Sequence, residues 1–167
     1  MIMEEVFDVA TPRQIAALEE EFHLQLPQSY REFLLKVGGG VTDNDDKSSW
    51  HYVDEVKDEL DIAIVFGTNS EEESCNIAYW MRKCGDEIWE NSVLIAESVY
   101  SGFFVLVCGG ENTGVWFWDD CMELPISTEE NNVYFVADSF EDFLCQFGGK
   151  VTLPDGRVWK PAEGVSA

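Results

Sequence analysis

Three apolar runs in the second half of the chain are joined by connections too short to hold a crossover helix. They are Val93-Leu94-Ile95-Ala96, Phe103-Phe104-Val105-Leu106-Val107 and Val115-Trp116-Phe117-Trp118. A parallel pair needs a dozen or more connecting residues, whereas the separators end in Ser101-Gly102 or read Gly109-Gly110-Glu111-Asn112-Thr113-Gly114. Consecutive runs must therefore pair antiparallel. Val133-Tyr134-Phe135-Val136 adds a further strand, and Ile62-Ala63-Ile64-Val65-Phe66, ended by Gly67, precedes the set.

Helices bracket these strands. Thr11-Pro12-Arg13-Gln14 is a capping box with Pro in the first helical position, and Ile15, Leu18 and Phe22 follow on one face. This helix runs to about His23. A second helix starts near Gln28, carries Tyr30, Phe33, Leu34 and Val37 at i, i+3, i+4 and i+7, and stops at Gly38-Gly39-Gly40. Ile77, Tyr79, Trp80 and Met81 suit a short helix behind the acids Glu71-Glu72-Glu73. A last helix opens at Ser139, with Asp142 at the capping-box position, and carries Phe140, Phe143, Leu144 and Phe147 before Gly148-Gly149.

Helices, then strands, then a helix is the pattern of an α+β fold. The expectation is a central, mainly antiparallel β-sheet with the N-terminal helices and the C-terminal helix packed on one side. At 167 residues the chain suffices for one domain, assigned to residues 1–149. Residues 150–167 form a tail in which Pro154-Asp155-Gly156 predicts a short hairpin. Val41 to Ser49 reads as an exposed acidic loop. A calcium loop is disfavoured there, because Ser and Trp stand where a mid-loop Gly and a terminal Glu are needed.

Charge narrows the function. The chain carries 33 Asp and Glu against 10 Lys and Arg, a formal charge of −23, and from Ser92 to Gly149 it has ten acids and no Lys or Arg. A nucleic-acid binder needs a basic face to displace counterions from phosphates, and an anionic membrane surface needs the same. Both partner classes are excluded. Solubility alone is one account of the acidity; the other is a negative field that steers a basic partner into contact. The N-terminal residues lack a secretory signal, no apolar run is long enough to span a membrane, and a cytoplasmic location follows. The five cysteines have no Cys-x-x-Cys pair and read as small buried hydrophobes in a reducing compartment. No metal or other cofactor is expected.

Catalytic chemistry finds little support. His23 falls at a helix end, His51 sits between Trp50 and Tyr52, and neither has a nucleophile beside it in sequence. Glu97 and Glu111 are the carboxylate pair to test for a hydrolase, and they must share a cleft to qualify. Trp116 and Trp118 face one side of their strand, Val115 and Phe117 the other, so both sides of the sheet are apolar there. Helices cover both, or one tryptophan face is a docking surface.

The run Leu26-Pro27-Gln28-Ser29-Tyr30-Arg31-Glu32-Phe33-Leu34 followed by Gly38-Gly39-Gly40 resembles the opening of the SUKH superfamily, which includes fungal cell-wall synthesis regulators and many bacterial proteins. Ile95-Ala96-Glu97 with Gly102, Gly114-Val115-Trp116-Phe117-Trp118-Asp119, and Ala137-Asp138-Ser139-Phe140-Glu141-Asp142-Phe143-Leu144 are similar to its later motifs, in the same order. The resemblance implies the α+β fold, no enzymatic activity, and for bacterial members an immunity role against toxins, many of them nucleases. It leaves the insert from Asp43 to Asp61 and the tail after Gly149 unmatched. The expectation is a non-catalytic immunity protein that binds a cognate basic toxin, with a scaffold or regulator of cell-wall synthesis as the alternative. Asp43, Asp45, Asp46, Glu71, Glu72 and Glu73 are assigned to steering, and Trp118, Asp119 and Asp120 to the contact.

Overall fold

The computed structural model describes residues 1–162, so the end of the expected tail lies outside the described residues. Strand β1 (Met3–Val6) precedes helices α1 (Pro12–Phe22) and α2 (Gln28–Lys36). After them come β2 (Gly40–Thr42), a hairpin of β3 (Trp50–Val53) and β4 (Asp58–Asp61), β5 (Ile64–Val65) and helix α3 (Ile77–Cys84). Strands β6 (Ser92–Glu97), β7 (Phe103–Val107), β8 (Gly114–Trp118) and β9 (Val133–Ala137) follow, then helix α4 (Phe140–Gln146) and the strands β10 (Val151–Thr152) and β11 (Val158–Trp159).

The main sheet has seven strands in the order β1-β2-β5-β6-β7-β8-β9, antiparallel throughout. The short turns between β6, β7 and β8 produce the expected meander. The fold is α+β as expected, but its helices do not share one face. Phe104 packs on Phe143 and Phe147, and Phe143 leads through Phe140 to Tyr30 and Phe33, so α2 and α4 cover the face to which Phe104 points. Phe103, one residue earlier and hence on the opposite face, lies 4.9 Å from the ring of Trp80 in α3. A strand run apolar on both sides is thus covered twice.

The helix boundaries follow the caps. Thr11 accepts from the Gln14 backbone amide while the Gln14 side chain accepts from the Thr11 amide, and the helix ends at His23 in a left-handed conformation. His23 is thus the exposed cap, one residue beyond the last turn. The stop after α2 has a second purpose. A Cβ on Gly40 would lie 2.1 Å from the Glu5 carbonyl oxygen, and one on Gly39 would lie 2.6 Å from that of Val65. Only bare backbone lets the end of α2 pass so close to β1 and β5.

Two expectations fail in the first half. Val41 and Thr42 are strand residues of the central sheet, paired to Ile64, Glu5 and Met3. The stretch read as one exposed loop is therefore sheet followed by a tight acidic turn, and the insert beyond it folds as the β3–β4 hairpin. The strand read over Ile62 to Phe66 shrinks to Ile64–Val65. The hairpin β10–β11 packs back on the domain: Trp159 meets Phe33 edge-to-face at 5.6 Å, and Val151 is fully buried.

Candidate functional site

Strand direction decides which acidic segments meet. β2 and β5 are antiparallel, so the loop after β2, with Asp43, Asp45 and Asp46, lies at the opposite sheet end from the segment after β5, with Glu71, Glu72 and Glu73. Counting on through the antiparallel β6, β7 and β8 places the ends of β6 and β8 with the end of β2. Trp118, Asp119 and Asp120 therefore share a sheet end with Asp43 to Asp46, and Glu71 to Glu73 stand apart. The same count separates Glu97, the last residue of β6, from Glu111, after β7, by the length of β7, roughly 13 Å. The pair shares no cleft, so the hydrolase reading of these two residues is withdrawn.

The acids differ in what they do. Asp45 is exposed, while Asp43 accepts from the Asp45 amide at 3.1 Å and Asp46 from the Ser48 amide at 2.9 Å and the Ser48 hydroxyl. Two of the three thus shape their own turn. Glu71, Glu72 and Glu73 are all exposed.

Asp119, assigned to the contact, is not a surface acid. It is 1% exposed, and its carboxylate accepts from the backbone amides of Glu123 and Leu124, both at 2.9 Å, and from the Ser127 hydroxyl at 2.5 Å. It is the internal anchor of the loop that leaves β8. Trp118 is half-buried on the α3 face, against Phe103 at 5.8 Å, and lines a cavity of about 280 Å³ with Trp89, Val105 and Val133. Asp120 is also half-buried, and its Oδ1 is enclosed with no hydrogen-bond partner. Burial, with the Asp120 charge adding to it, pushes the Glu97 carboxyl above its ordinary value.

The sequence reading missed a groove at this same end of the sheet. The β3–β4 hairpin forms one wall, the Ser98–Ser101 turn a second and the Asp119–Pro125 loop a third, around a cavity of about 380 Å³. Asp61, at the end of the hairpin, is the counterpart of Asp119. It is 1% exposed and accepts from the Ser98 hydroxyl at 2.5 Å, the Val99 amide at 3.0 Å and the Asn44 side-chain amide at 3.0 Å. These bonds tie the hairpin to the turn. The one available signal was Asp119 itself, which stands inside a motif that the family resemblance marks as fold-determining.

The cysteines divide. Cys75 is buried and Cys84 and Cys108 are half-buried, but Cys121 and Cys145 are exposed, so two of the five are not the buried hydrophobes expected. Burial pushes the Cys108 thiol up to about 12. His51 packs edge-to-face on Phe147 at 5.9 Å. Among the described residues no group of three or more His, Cys, Asp or Glu is placed to hold a metal ion, and no helix is long and apolar enough to cross a membrane.

A seven-stranded antiparallel sheet with helices on both faces, and an end where acidic loops gather, defines an α+β domain. The sequence profile of the SMI1 / KNR4 family (SUKH-1) matches residues 9–146, and the chain belongs to that family. A search of curated proteins finds no match.

Proposed function

We propose that this chain is a non-catalytic immunity protein that neutralises a basic protein toxin by binding it through its acidic surface. The observation that carries this reading is the cation-free block from Ser92 to Gly149, ten acids with no Lys or Arg. That block folds as β6, β7, β8, β9 and α4, neighbours in space as well as in sequence, and six of its ten acids fall at or just beyond the sheet end where β6 and β8 finish and β9 begins. Family membership supports a role in immunity or in cell-wall regulation, and the acidity favours the first.

The test is a pull-down with this chain as bait from cells expressing the neighbouring genes, followed by kinetics on the protein recovered. A basic toxin domain whose association slows by roughly 10-fold or more between low and high salt supports the reading. Recovery of a cell-wall enzyme instead moves the assignment to the regulator. An on-rate indifferent to salt removes electrostatic steering.

A further inference from the structure

We propose that the groove between the β3–β4 hairpin, the Ser98–Ser101 turn and the Asp119–Pro125 loop is the seat of an arginine-bearing segment of the protein partner. The proposal rests on the reading of that partner as basic and adds where, and by which side chain, it docks.

Charge is the first ground. The floor holds the carboxylates of Asp61 and Asp119, and Asp58, Glu59 and Glu123 stand exposed on the rim. The described residues that line the groove include no Lys, Arg or His. The two floor carboxylates are each satisfied by three neutral donors. Among the described residues the ion pairs are Arg31–Glu19, Arg82–Glu21 and Arg157–Asp155, and none of them reaches the groove. A buried carboxylate is ordinarily paired with a cation, because neutral donors offset only part of its lost hydration. Here two such groups line one groove without a counter-charge, and the low-dielectric surroundings direct their field into the open cavity.

Shape and surface select the cation. At about 380 Å³ the cavity has room for on the order of a dozen waters, hence for one or two long side chains but not for a folded element. Tyr100, 72% exposed, and Trp50 both line the groove, so it offers aromatic side chains as well as acids. A guanidinium stacks on aromatic faces and sheds water readily, while an ammonium holds its hydration shell. Val99 and Met122, 51% and 43% exposed, lie beside the same rims and offer apolar cover for the arginine stem. Ser101 at φ 95° and Met122 at φ 54° give the two rim turns left-handed backbone conformations.

The test titrates ¹⁵N-labelled full chain at low salt with an acetylated, amidated tetra-arginine peptide and, separately, its tetra-lysine counterpart. Amide shifts should concentrate on Glu59, Tyr100, Ser101 and Glu123, with tetra-arginine bound about threefold more tightly. The exposed double variant Glu59→Gln/Glu123→Gln should weaken both peptides about fivefold. Tyr100→Ala should abolish the preference for arginine while leaving the lysine affinity within about twofold. Shifts confined to Asp43 to Asp46 or Glu71 to Glu73 would overturn the groove and leave the basic-partner reading standing. Equal affinities in the wild type would overturn the choice of arginine, and binding of neither peptide would overturn the groove and the basic-partner reading together.

Discussion

Replacing Asp119 by Asn changes one atom and removes one charge, and the structure fixes the sign of the result. Two backbone amides and one hydroxyl donate to this carboxylate, with Leu124 and Ser127 sharing one of its oxygens. Asn keeps a single acceptor, so its own N–H₂ must face a donor, leaving a buried amide unpaired at a cost of about 2 kcal/mol. The two bonds that survive on its oxygen, from Leu124 and Ser127, fall from charge-assisted to neutral, a further loss of about 1 kcal/mol together. Against this, a chain of net charge −23 is relieved of one negative charge, a gain of about 1 kcal/mol at an effective dielectric near 20. The net is a destabilisation of about 2 kcal/mol. With an m-value near 2 kcal/mol/M for a chain this size, the urea midpoint should drop by about 1 M. Amide exchange should accelerate at Glu123 and Leu124 before anywhere in the main sheet. An unchanged or raised midpoint, or unaltered protection at those two amides, would refute the assignment of Asp119 as the loop's anchor.

Glu97→Gln should raise Tm at neutral pH. The folded-state value of Glu97 lies above its unfolded value, so the protein loses stability as pH rises through that interval, and the gain on substitution should vanish below the ordinary value of 4.5. Gln14→Ala should cost more stability than Thr11→Ala, about 2 against about 1 kcal/mol in chemical denaturation, because Gln14 also exchanges hydrogen bonds with Asn69 at 2.6 and 2.9 Å. In a native thiol titration Cys121 and Cys145 should react first and Cys75 and Cys108 only on unfolding; simultaneous reaction of all five would contradict their placement. Neutralising Glu59 and Glu123 should raise stability by a few tenths of a kcal/mol at low salt and by nothing at high salt, the opposite sign to Asp119→Asn.

Legibility followed the range of the interactions. The capping box of α1, the apolar faces of α2 and α4 and the meander from β6 to β8 are written in residues a few positions apart, and the structure keeps them. β1 and the β3–β4 hairpin were missed for a physical reason. Met3–Val6 holds two acids among four residues and Asp58–Asp61 three, and such segments become strands only through partners elsewhere in the chain. A local reading scores them as loop. The groove is harder still, because it exists only once Asp61 has bound Val99, 38 residues away.

Acid abundance hid the site because sequence presents every carboxylate as equivalent. Burial separates them into three kinds with different consequences. Asp43, Asp46, Asp61 and Asp119 accept hydrogen bonds from their own or neighbouring loops, so their removal costs structure. Asp58, Glu59 and Glu123 are exposed, so their charge is available to a partner and burdens the free protein only by mutual repulsion. Glu97 lies between, half-buried and within reach of the Asp120 charge, where its own charge carries a penalty. A negative total therefore identifies no contact by itself. The proposed contact is the place where exposed acids accompany anchored, counterion-free ones, and in this chain those two kinds coincide at the end of the sheet where β2, β6 and β8 finish.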